Sequence, residues 1–366
     1  MKFITSTPAT TRFTWETKIL DSSLLLAGVK PQDIYNVYIY DNASSMVVAS
    51  RYLSVLIDAG INIKFYKSGL VDLTNKYGLY AAAVKPFGFM SLLKENPSLQ
   101  SETFMQLDTD VVMLEPLPVI EIGHNQVVGS NTSFYQNLKL VKSHDSGGYD
   151  KFIKELSDIV KISPDDLDSI DDKACGAQIV ISNPTAELFE KITEDCYRIK
   201  KSMEDNVSGA QSWISEMLAS YYNYYDFGYS PTILESLGFS WSSDPMDELN
   251  KWNILHDSGI SQKSAQKNSL FFKNKYIKGN FPTKDNLNFD SLAIDSLGTA
   301  YAVLVYNIDD FTRVGLNLGQ EPEISTRDYI INHLLDMCSE DRLDKVKEYI
   351  ESAFKKFPTS LSYISN

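Results

Sequence analysis

Two aspartates, Asp108 and Asp110, stand one residue apart directly after a short apolar run at residues 103–107. An apolar run of this length, followed by polar residues, is typical of a buried strand. Ligands of open α/β sheets bind at the carboxyl ends of the strands, so both carboxylates are expected at a binding edge. Carboxylate oxygens are ligands that Mg²⁺ and Mn²⁺ favour. The spacing therefore predicts a divalent-metal site, with a solvated acidic loop as the alternative.

The elements that must position this motif alternate along most of the chain. Strand-like runs are predicted at residues 2–5, 35–40, 61–66, 103–107, 174–182 and 252–256. Helices are predicted at residues 13–27, 47–59, 80–93, 184–200 and 208–222. Strands that alternate with helices predict an α/β fold, with a mostly parallel sheet flanked by helices. Beyond residue 284 the alternation weakens, and a helical segment is predicted at 325–357.

A third candidate metal ligand, His256, ends the run at 252–256 and precedes Asp257-Ser258-Gly259. A neutral imidazole can complete a site that already holds two carboxylates. Because a parallel sheet gathers the carboxyl ends of its strands at one edge, His256 is expected within one coordination sphere of Asp110. The same tetrapeptide occurs at His144, which lies in a polar region and is the weaker candidate.

The run from Lys85 to Asp110 resembles glycosyltransferases of the GT-A fold, especially the glycogenin and lipopolysaccharide galactosyltransferase group. In that group a basic residue precedes a D-x-D motif by a helix and a strand. The resemblance implies a Rossmann-like GT-A catalytic domain at residues 1–284 and a mainly helical C-terminal appendage at 285–366. It further implies that Mn²⁺ or Mg²⁺ is held by Asp108 and Asp110. Asp108 and Lys85 would also contact the donor, unless Lys85 is simply an exposed surface lysine.

Other donor-side residues enter through the same resemblance. The family carries H-x-x-G followed by a lysine, which this sequence matches at His256, Gly259 and Lys263 with one extra residue before the lysine. His256 would then be the third metal ligand and Lys263 a contact to the diphosphate. The base and ribose of the donor, by resemblance a UDP-sugar, would lie near the ends of the first two strands. The residues there are Thr5, Ser6, Thr7 and Asp41, although loop polarity alone also explains them.

The acceptor side is matched less completely. Cys175-Gly176-Ala177-Gln178 and Gly209-Ala210-Gln211 resemble the family's acceptor segments, but Ala210 stands where the family commonly has Asp. Gln211 would lie beside the anomeric carbon, and Glu216 is either a catalytic base or an ordinary polar residue of a helix. This departure leaves the stereochemical outcome open. The donor sugar is also open, so both hexosyl and pentosyl transfer are expected alternatives. A looser likeness to plant hydroxyproline arabinosyltransferases occurs at KPFGFMSLL (85–93) and FFKNKY (271–276).

Charge and composition limit the partners. The net charge of −14 opposes binding to nucleic acids and anionic membranes, so nucleic acid is not favoured, although the lysine-rich stretch 251–278 could form a local groove. The first residues lack the apolar run of a signal peptide, and no window approaches the roughly 18 apolar residues of a membrane span. A cytoplasmic protein without a membrane span is therefore expected. The acceptor, whether glycan, protein or modified nucleobase, stays open.

Two other functions fit parts of the sequence. A metal-dependent nucleotidyltransferase also needs paired carboxylates on an α/β sheet, but it usually has a glycine-rich phosphate loop, and residues 5–11 contain no glycine. A non-catalytic carbohydrate-binding protein would explain the 21 tyrosines but not the acidic strand terminus. Glycosyl transfer accounts for more of the motifs than either alternative.

Overall fold

The computed structural model describes residues 1–144, 147–277, 281–317 and 324–358. Its strands are β1 (Lys2–Pro8), β2 (Ile34–Tyr40), β3 (Asn62–Lys67), β4 (Thr103–Gln106), β5 (Val111–Met113), β6 (Gln126–Asn131), β7 (Cys175–Ser182), β8 (Ser230–Ile233), β9 (Ser240–Trp241) and β10 (Ile254–His256). Its helices are α1 (Thr11–Leu26), α2 (Ala43–Tyr52), α3 (Ser54–Asp58), α4 (Val71–Tyr77), α5 (Val84–Glu95), α6 (Leu138–Ser143), α7 (Tyr149–Val160), α8 (Pro164–Asp171), α9 (Ala186–Asn206), α10 (Ser215–Asp226), α11 (Gln262–Asn268), α12 (Leu297–Tyr306), α13 (Ile308–Gly315), α14 (Thr326–Met337) and α15 (Glu340–Lys356). Parts of the predicted segments lie outside the described ranges, namely residues 145–146, 278–280, 318–323 and 359–366.

A seven-stranded sheet forms the centre of the described structure, in the order β3-β2-β1-β4-β7-β6-β8. Neighbours are parallel except at β7, which runs antiparallel to both β4 and β6. The carboxyl ends of β1, β4 and β6 therefore share one edge with the amino end of β7. The predicted fold class, a mostly parallel sheet flanked by helices with a helical C-terminal part, is confirmed.

Successive side chains along a strand pack alternately into two separate hydrophobic cores. In β1, Phe3 packs into one hydrophobic cluster and the next residue, Ile4, into the other. The Ile4 cluster lies under α5, α7, α9 and α10, and the Phe3 cluster lies under α1, α2 and α3. This period of two is the expected geometry of a strand that is buried on both faces. Helices therefore cover both faces of the sheet.

A third hydrophobic cluster joins the C-terminal helices to the rest of the chain. It combines residues of α12 to α15 with Trp15 and Ile19 of α1 and with Leu255 of β10. This cluster thus includes residues from both sides of the boundary proposed at residue 284, and that boundary stays a prediction. None of the helices in the described ranges is long and apolar enough to cross a bilayer.

Several elements differ from those predicted. The single helix expected at 47–59 is interrupted at Leu53, and the one expected at 325–357 is interrupted at Cys338 and Ser339. Strands β6, β8 and β9 were not predicted, since each is short or carries polar residues or proline. Their extended conformation depends on pairing with β7, β6 and β10, respectively, and such pairing leaves little periodic signal in the sequence.

A buried polar network links α1 to the sheet. Asn36 donates its amide to Asp21 Oδ2 at 2.7 Å, and Thr5 donates its hydroxyl to Asn36 Oδ1 at 2.8 Å. The other carboxyl oxygen of Asp21 has no hydrogen-bond partner among the residues that the structure describes. Burial raises the pKa of Asp21 well above its usual range. The network is structural, and its carboxyl group favours the neutral form.

Replacing Asp21 with Asn is expected to stabilise the protein relative to the wild type increasingly as the pH rises above 3.8. Because the folded-state pKa of Asp21 is raised above 3.8, the stability from the protonated carboxyl is present below 3.8 and is lost as the pH rises through the folded-state pKa. Asn has the same shape and no charge to bury. Thermal unfolding of both proteins measures the difference in their free energies of unfolding. This difference changes by at most about 1.4 kcal/mol per pH unit. A difference that does not vary with pH would contradict the expectation.

Candidate active site

Asp108, Asp110 and His256 meet at the edge of the main sheet. The two aspartates lie in the turn between β4 and β5, and His256 is the last residue of β10. His256 Nε2 lies 3.2 Å from Asp110 Oδ1 and 3.7 Å from Asp108 Oδ2. One ligand atom from each of the three residues falls within 4.8 Å of the others. The acidic D-x-D motif that the sequence predicted is therefore present, together with its histidine.

A second, smaller sheet brings His256 to the aspartates. It has the order β5-β10-β9, and β10 pairs antiparallel with β5 so that His256 lies opposite Val111. The backbone N–H of Asp257 also donates to the Asp110 carbonyl at 2.8 Å. The expected reason for the proximity, parallel strands of one sheet ending at a common edge, is wrong, because β10 is not part of the main sheet. The antiparallel ladder next to Asp110 is the cause instead.

Two lysines hold the aspartate oxygens that point away from His256. Lys85 Nζ lies 2.7 Å from Asp108 Oδ1, and Lys273 Nζ donates to Asp110 Oδ2. Burial by itself would raise the pKa of Asp110, but its interactions with Lys273 and His256 hold that pKa well below its usual range. Asp108 Oδ2, Asp110 Oδ1 and His256 Nε2 are thus the atoms that face one another. The lysines fix both carboxylates with one oxygen directed at the histidine.

The separations of these atoms suit a divalent cation. Ligands about 2.1 Å from an octahedral ion are about 3.0 Å apart at adjacent positions and about 4.2 Å apart at opposite ones. The measured 3.2 and 3.7 Å lie within that range. The His256 ring stacks on Trp241, with centroids 5.5 Å apart and planes at 16°, which fixes its plane. His256 Nδ1 is buried and has no hydrogen-bond partner within the described ranges.

The charges around the triad also favour a cation. The ion pairs around the triad contain three basic side chains, Arg12, Lys85 and Lys273, and five carboxylates, namely Glu16, Asp108, Asp110, Glu216 and Asp257. The Arg12–Glu16 pair is joined to the triad segment through the hydrogen bond from Thr109 to Glu16. With every group ionised and His256 neutral, carboxylates exceed basic groups by two. Burial raises the pKa of Glu16 and of Asp257, so both carboxylates gain from any further positive charge nearby. A divalent cation would balance this excess.

The triad lies in the middle of a cleft of about 1100 Å³. Since β4 stands between β1 and β7 in the sheet, the end of β4 divides the cleft into two halves. The half next to β1, here called the β1 half, is lined by Ser6, Thr7, Arg12, Phe13, Lys273 and Asn274. The other, here called the β7 half, is lined by Phe134, Tyr135, Ala177, Gln211, Trp213 and Glu216. Molecules bound in the two halves would therefore meet at the triad.

The structure brings most of the predicted donor-side residues to the cleft, but not all. Ser6 and Thr7 line it, whereas Thr5 is buried and bonds to Asn36. Asp41 and Lys263 are exposed, and neither is among the described residues that line the cleft.

The predicted acceptor-side residues lie together in the β7 half. Glu216 Oε2 is 3.6 Å from Lys85 Nζ, and Glu216 Oε1 accepts a hydrogen bond from Ser220 at 3.1 Å. Gln211 accepts a hydrogen bond from the indole N–H of Trp213. His144, the weaker metal candidate, is exposed on the surface and bonds through Nδ1 to the Leu140 carbonyl at 2.9 Å.

Sequence reasoning missed Lys273, Arg12 and Glu16. Lys273 lies in the FFKNKY segment, which had been noted only as a loose likeness. Glu16 is fully buried, pairs with Arg12 at 2.7 Å and accepts a hydrogen bond from Thr109, the residue between the two aspartates, at 2.8 Å. An i,i+4 Arg–Glu pair is the only local signal in this group, and such pairs are common on exposed helices.

No family model matches the chain, and no curated protein matches it. A search of solved structures finds the WbbM bifunctional glycosyltransferase, with 12% identity and a TM-score of 0.42 over 71% of this chain and 46% of that one. It also finds the galactosyltransferase LgtC, with 10% identity and a TM-score of 0.42 over 75% and 94% of the two chains. Mouse xyloside xylosyltransferase 1 matches with 10% identity and a TM-score of 0.35 over 70% and 97%. The structures that this chain resembles are glycosyltransferases. The chain spans less than half the length of the first of them.

Proposed function

We propose that this protein is a metal-dependent glycosyltransferase that moves a sugar from a nucleotide diphosphate sugar to an acceptor. The observation that carries the proposal is the triad of Asp108, Asp110 and His256, which divides a large cleft and is flanked by Lys85 and Lys273. Mn²⁺ or Mg²⁺ suits two carboxylates and an imidazole and keeps positions for phosphate oxygens. A bound ion of this kind would neutralise the charge that develops on a departing diphosphate.

The β1 half of the cleft suits the nucleotide part of the donor. Arg12 and Lys273 are the basic side chains of this half among the described residues, and Ser6 and Thr7 supply hydroxyl groups. A diphosphate bound beside Asp110 would meet the positive charge of Lys273, which is held in place by Asp110 and by the Asp257 carbonyl. The preference for UDP rests on the sequence resemblance. The role assigned to Lys263 stays a prediction.

Glu216 and Gln211 line the β7 half, and we assign the acceptor hydroxyl to the space beside them. In the proposed step the acceptor oxygen forms a bond to the anomeric carbon while the bond from that carbon to the diphosphate oxygen breaks. The electron pair of the broken bond stays with the diphosphate, and the hydroxyl proton passes to Glu216. Lys85 and Ser220 hold one Glu216 oxygen each, which orients the carboxylate. Gln211, held by the Trp213 indole, can contact the transferred sugar.

The proposal predicts that Mn²⁺ and UDP stabilise the protein together by more than the sum of their separate effects. The cation and the diphosphate would share the triad site, so that each raises the affinity of the other. Thermal unfolding with Mn²⁺ alone, UDP alone and both measures this coupling. The Asp108→Asn variant, measured under the same three conditions, is expected to lose the coupling between Mn²⁺ and UDP. Replacing UDP with GDP tests the preference for the uracil base. Strictly additive shifts would contradict a shared site, and turnover of nucleoside triphosphates would favour a nucleotidyltransferase instead.

A further inference from the structure

Large aromatic side chains stand exposed in the β7 half of the cleft. Phe134 is 61% exposed and Trp213 is 53% exposed, and Tyr135 and Trp241 lie partly buried beside them. All four line the cleft, and together they are called the aromatic row here. Exposed apolar surface inside a cleft is a common mark of a ligand-binding site. The proposed metal and diphosphate chemistry does not use these rings.

The aromatic row leads from the triad to the rim of the cleft. Trp241 stacks on His256, and Tyr135 meets Trp241 edge to face at a centroid distance of 6.0 Å. Tyr135 also stacks on Trp213 at 6.3 Å and 25°, and Phe134 meets Tyr135 at 4.7 Å. Burial and the nearby charge of Asp108 raise the pKa of the Tyr135 hydroxyl. A ligand on this row would extend from the reacting centre toward solvent.

The backbone that carries Trp213 is held firmly although its indole is exposed. The Tyr80 hydroxyl donates to the Trp213 carbonyl at 2.7 Å and accepts from the Glu216 N–H at 2.8 Å. The indole N–H in turn donates to Gln211 Oε1. Trp213 is therefore exposed on an anchored segment that also carries Gln211 and Glu216. A rigid ring of this kind binds a ligand with little loss of conformational entropy.

The two halves of the cleft differ in the charges of their lining residues. The basic side chains among its described lining residues are Arg12, Lys85, Lys273 and His256. Arg12 and Lys273 lie in the β1 half, His256 belongs to the triad, and Lys85 is shared between Asp108 and Glu216. In the β7 half the charged group is Glu216, beside the amide of Gln211. An anionic acceptor such as a nucleic acid would find no unpaired basic side chain among the described residues that line this half, whereas a neutral ligand with hydroxyl groups needs none.

We propose that the aromatic row is the acceptor site and that it binds a pyranose ring of a neutral saccharide. A pyranose has a C–H face that packs on aromatic rings and hydroxyl edges that seek hydrogen bonds. Trp213 and Phe134 offer the rings, while Gln211 and Glu216 offer the hydrogen-bonding groups. The proposal rests on the proposed function, because the acceptor hydroxyl must reach Glu216 beside the triad. Under this proposal the acceptor is a glycan or glycoside, and not a protein or a nucleobase.

Saturation-transfer NMR of lactose, maltose and cellobiose with the full chain, UDP and Mg²⁺ tests the proposal. We expect transfer to the ring protons of at least one disaccharide. Trp213→Ala and Phe134→Ala should each weaken this binding by about tenfold, while Phe354→Ala, an exposed aromatic on α15, should not. A matched anionic probe, sialyllactose, should bind more weakly than lactose.

Signals from UDP in the same samples separate the two proposals. Magnesium-dependent UDP binding without any saccharide signal in the wild type would overturn the acceptor site and leave the glycosyltransferase proposal standing. Loss of UDP binding in Trp213→Ala would show that the row holds the nucleotide base, which also overturns it. Absence of UDP binding in the wild type would instead count against the proposed function. Preferential binding of sialyllactose would overturn the neutral acceptor.

Discussion

Asp108→Asn and Asp110→Asn should each lower sugar transfer by about a thousandfold, because either change removes a charged ligand from the cation site. The amide keeps the shape of the side chain but has no charge to hold the ion. His256→Ala should instead raise the metal concentration needed for half-maximal activity, since two carboxylates remain. The measurement is donor hydrolysis and transfer at increasing Mn²⁺, with Asp165→Asn, an exposed aspartate of α8, as the control. If both aspartate variants kept wild-type activity, and if EDTA did not reduce that activity, the metal site would be excluded.

The two aspartate variants should differ in stability. The side chain of Asp108 is 31% exposed, so its replacement changes the free energy of unfolding little. Asp110 is 13% exposed and pairs with Lys273, whose side chain is also 13% exposed, so removing the Asp110 charge leaves Lys273 with the longer ion pair to Asp257. We therefore expect Asp110→Asn to melt at a lower temperature than Asp108→Asn. Asp108→Asn is the cleaner test of catalysis for this reason.

Lys273→Met should weaken UDP binding at saturating metal by tenfold or more and should destabilise the fold by about 3–5 kcal/mol. Burial alone would lower the pKa of Lys273, but Asp110 and Asp257 raise it above its ordinary value, so the side chain stays charged. Methionine keeps the apolar stem and removes this charge, which leaves both carboxylates uncompensated. Calorimetric titration with UDP and denaturant unfolding measure the two effects.

Lys263→Ala and Lys275→Met provide the comparison. Lys263 is the lysine that the family spacing indicates, but it is exposed on α11 and has no ion pair among the described residues. Its removal should change stability by no more than about 0.5 kcal/mol and leave UDP affinity near that of the wild type. Lys275→Met controls for changes to the segment, because Lys275 is exposed two residues after Lys273. Weaker UDP binding in Lys263→Ala together with unchanged binding in Lys273→Met would reverse the assignment.

The sequence by itself was sufficient for the α/β class, most strands of the central sheet and the acidic motif. Each of these depends on short-range patterns. Phe104, Met105 and Leu107 are apolar and fully buried, and the polar Asp108 and Asp110 follow where that burial ends. The alternation of strands and helices likewise follows from the spacing of apolar residues within each element. Such signals survive in a single sequence because neighbouring residues create them.

Only the tertiary structure decided how the site is completed. His256 reaches Asp110 through a three-residue ladder between β5 and β10, which is too short to leave a periodic pattern. Lys273 lies beside the triad because of where the FFKNKY segment packs. The aromatic row combines separate chain segments, at residues 134–135, 213 and 241. Packing between distant segments determines these contacts. Because the free energy of this packing is shared among residues far apart in the chain, no local sequence pattern predicts the contacts.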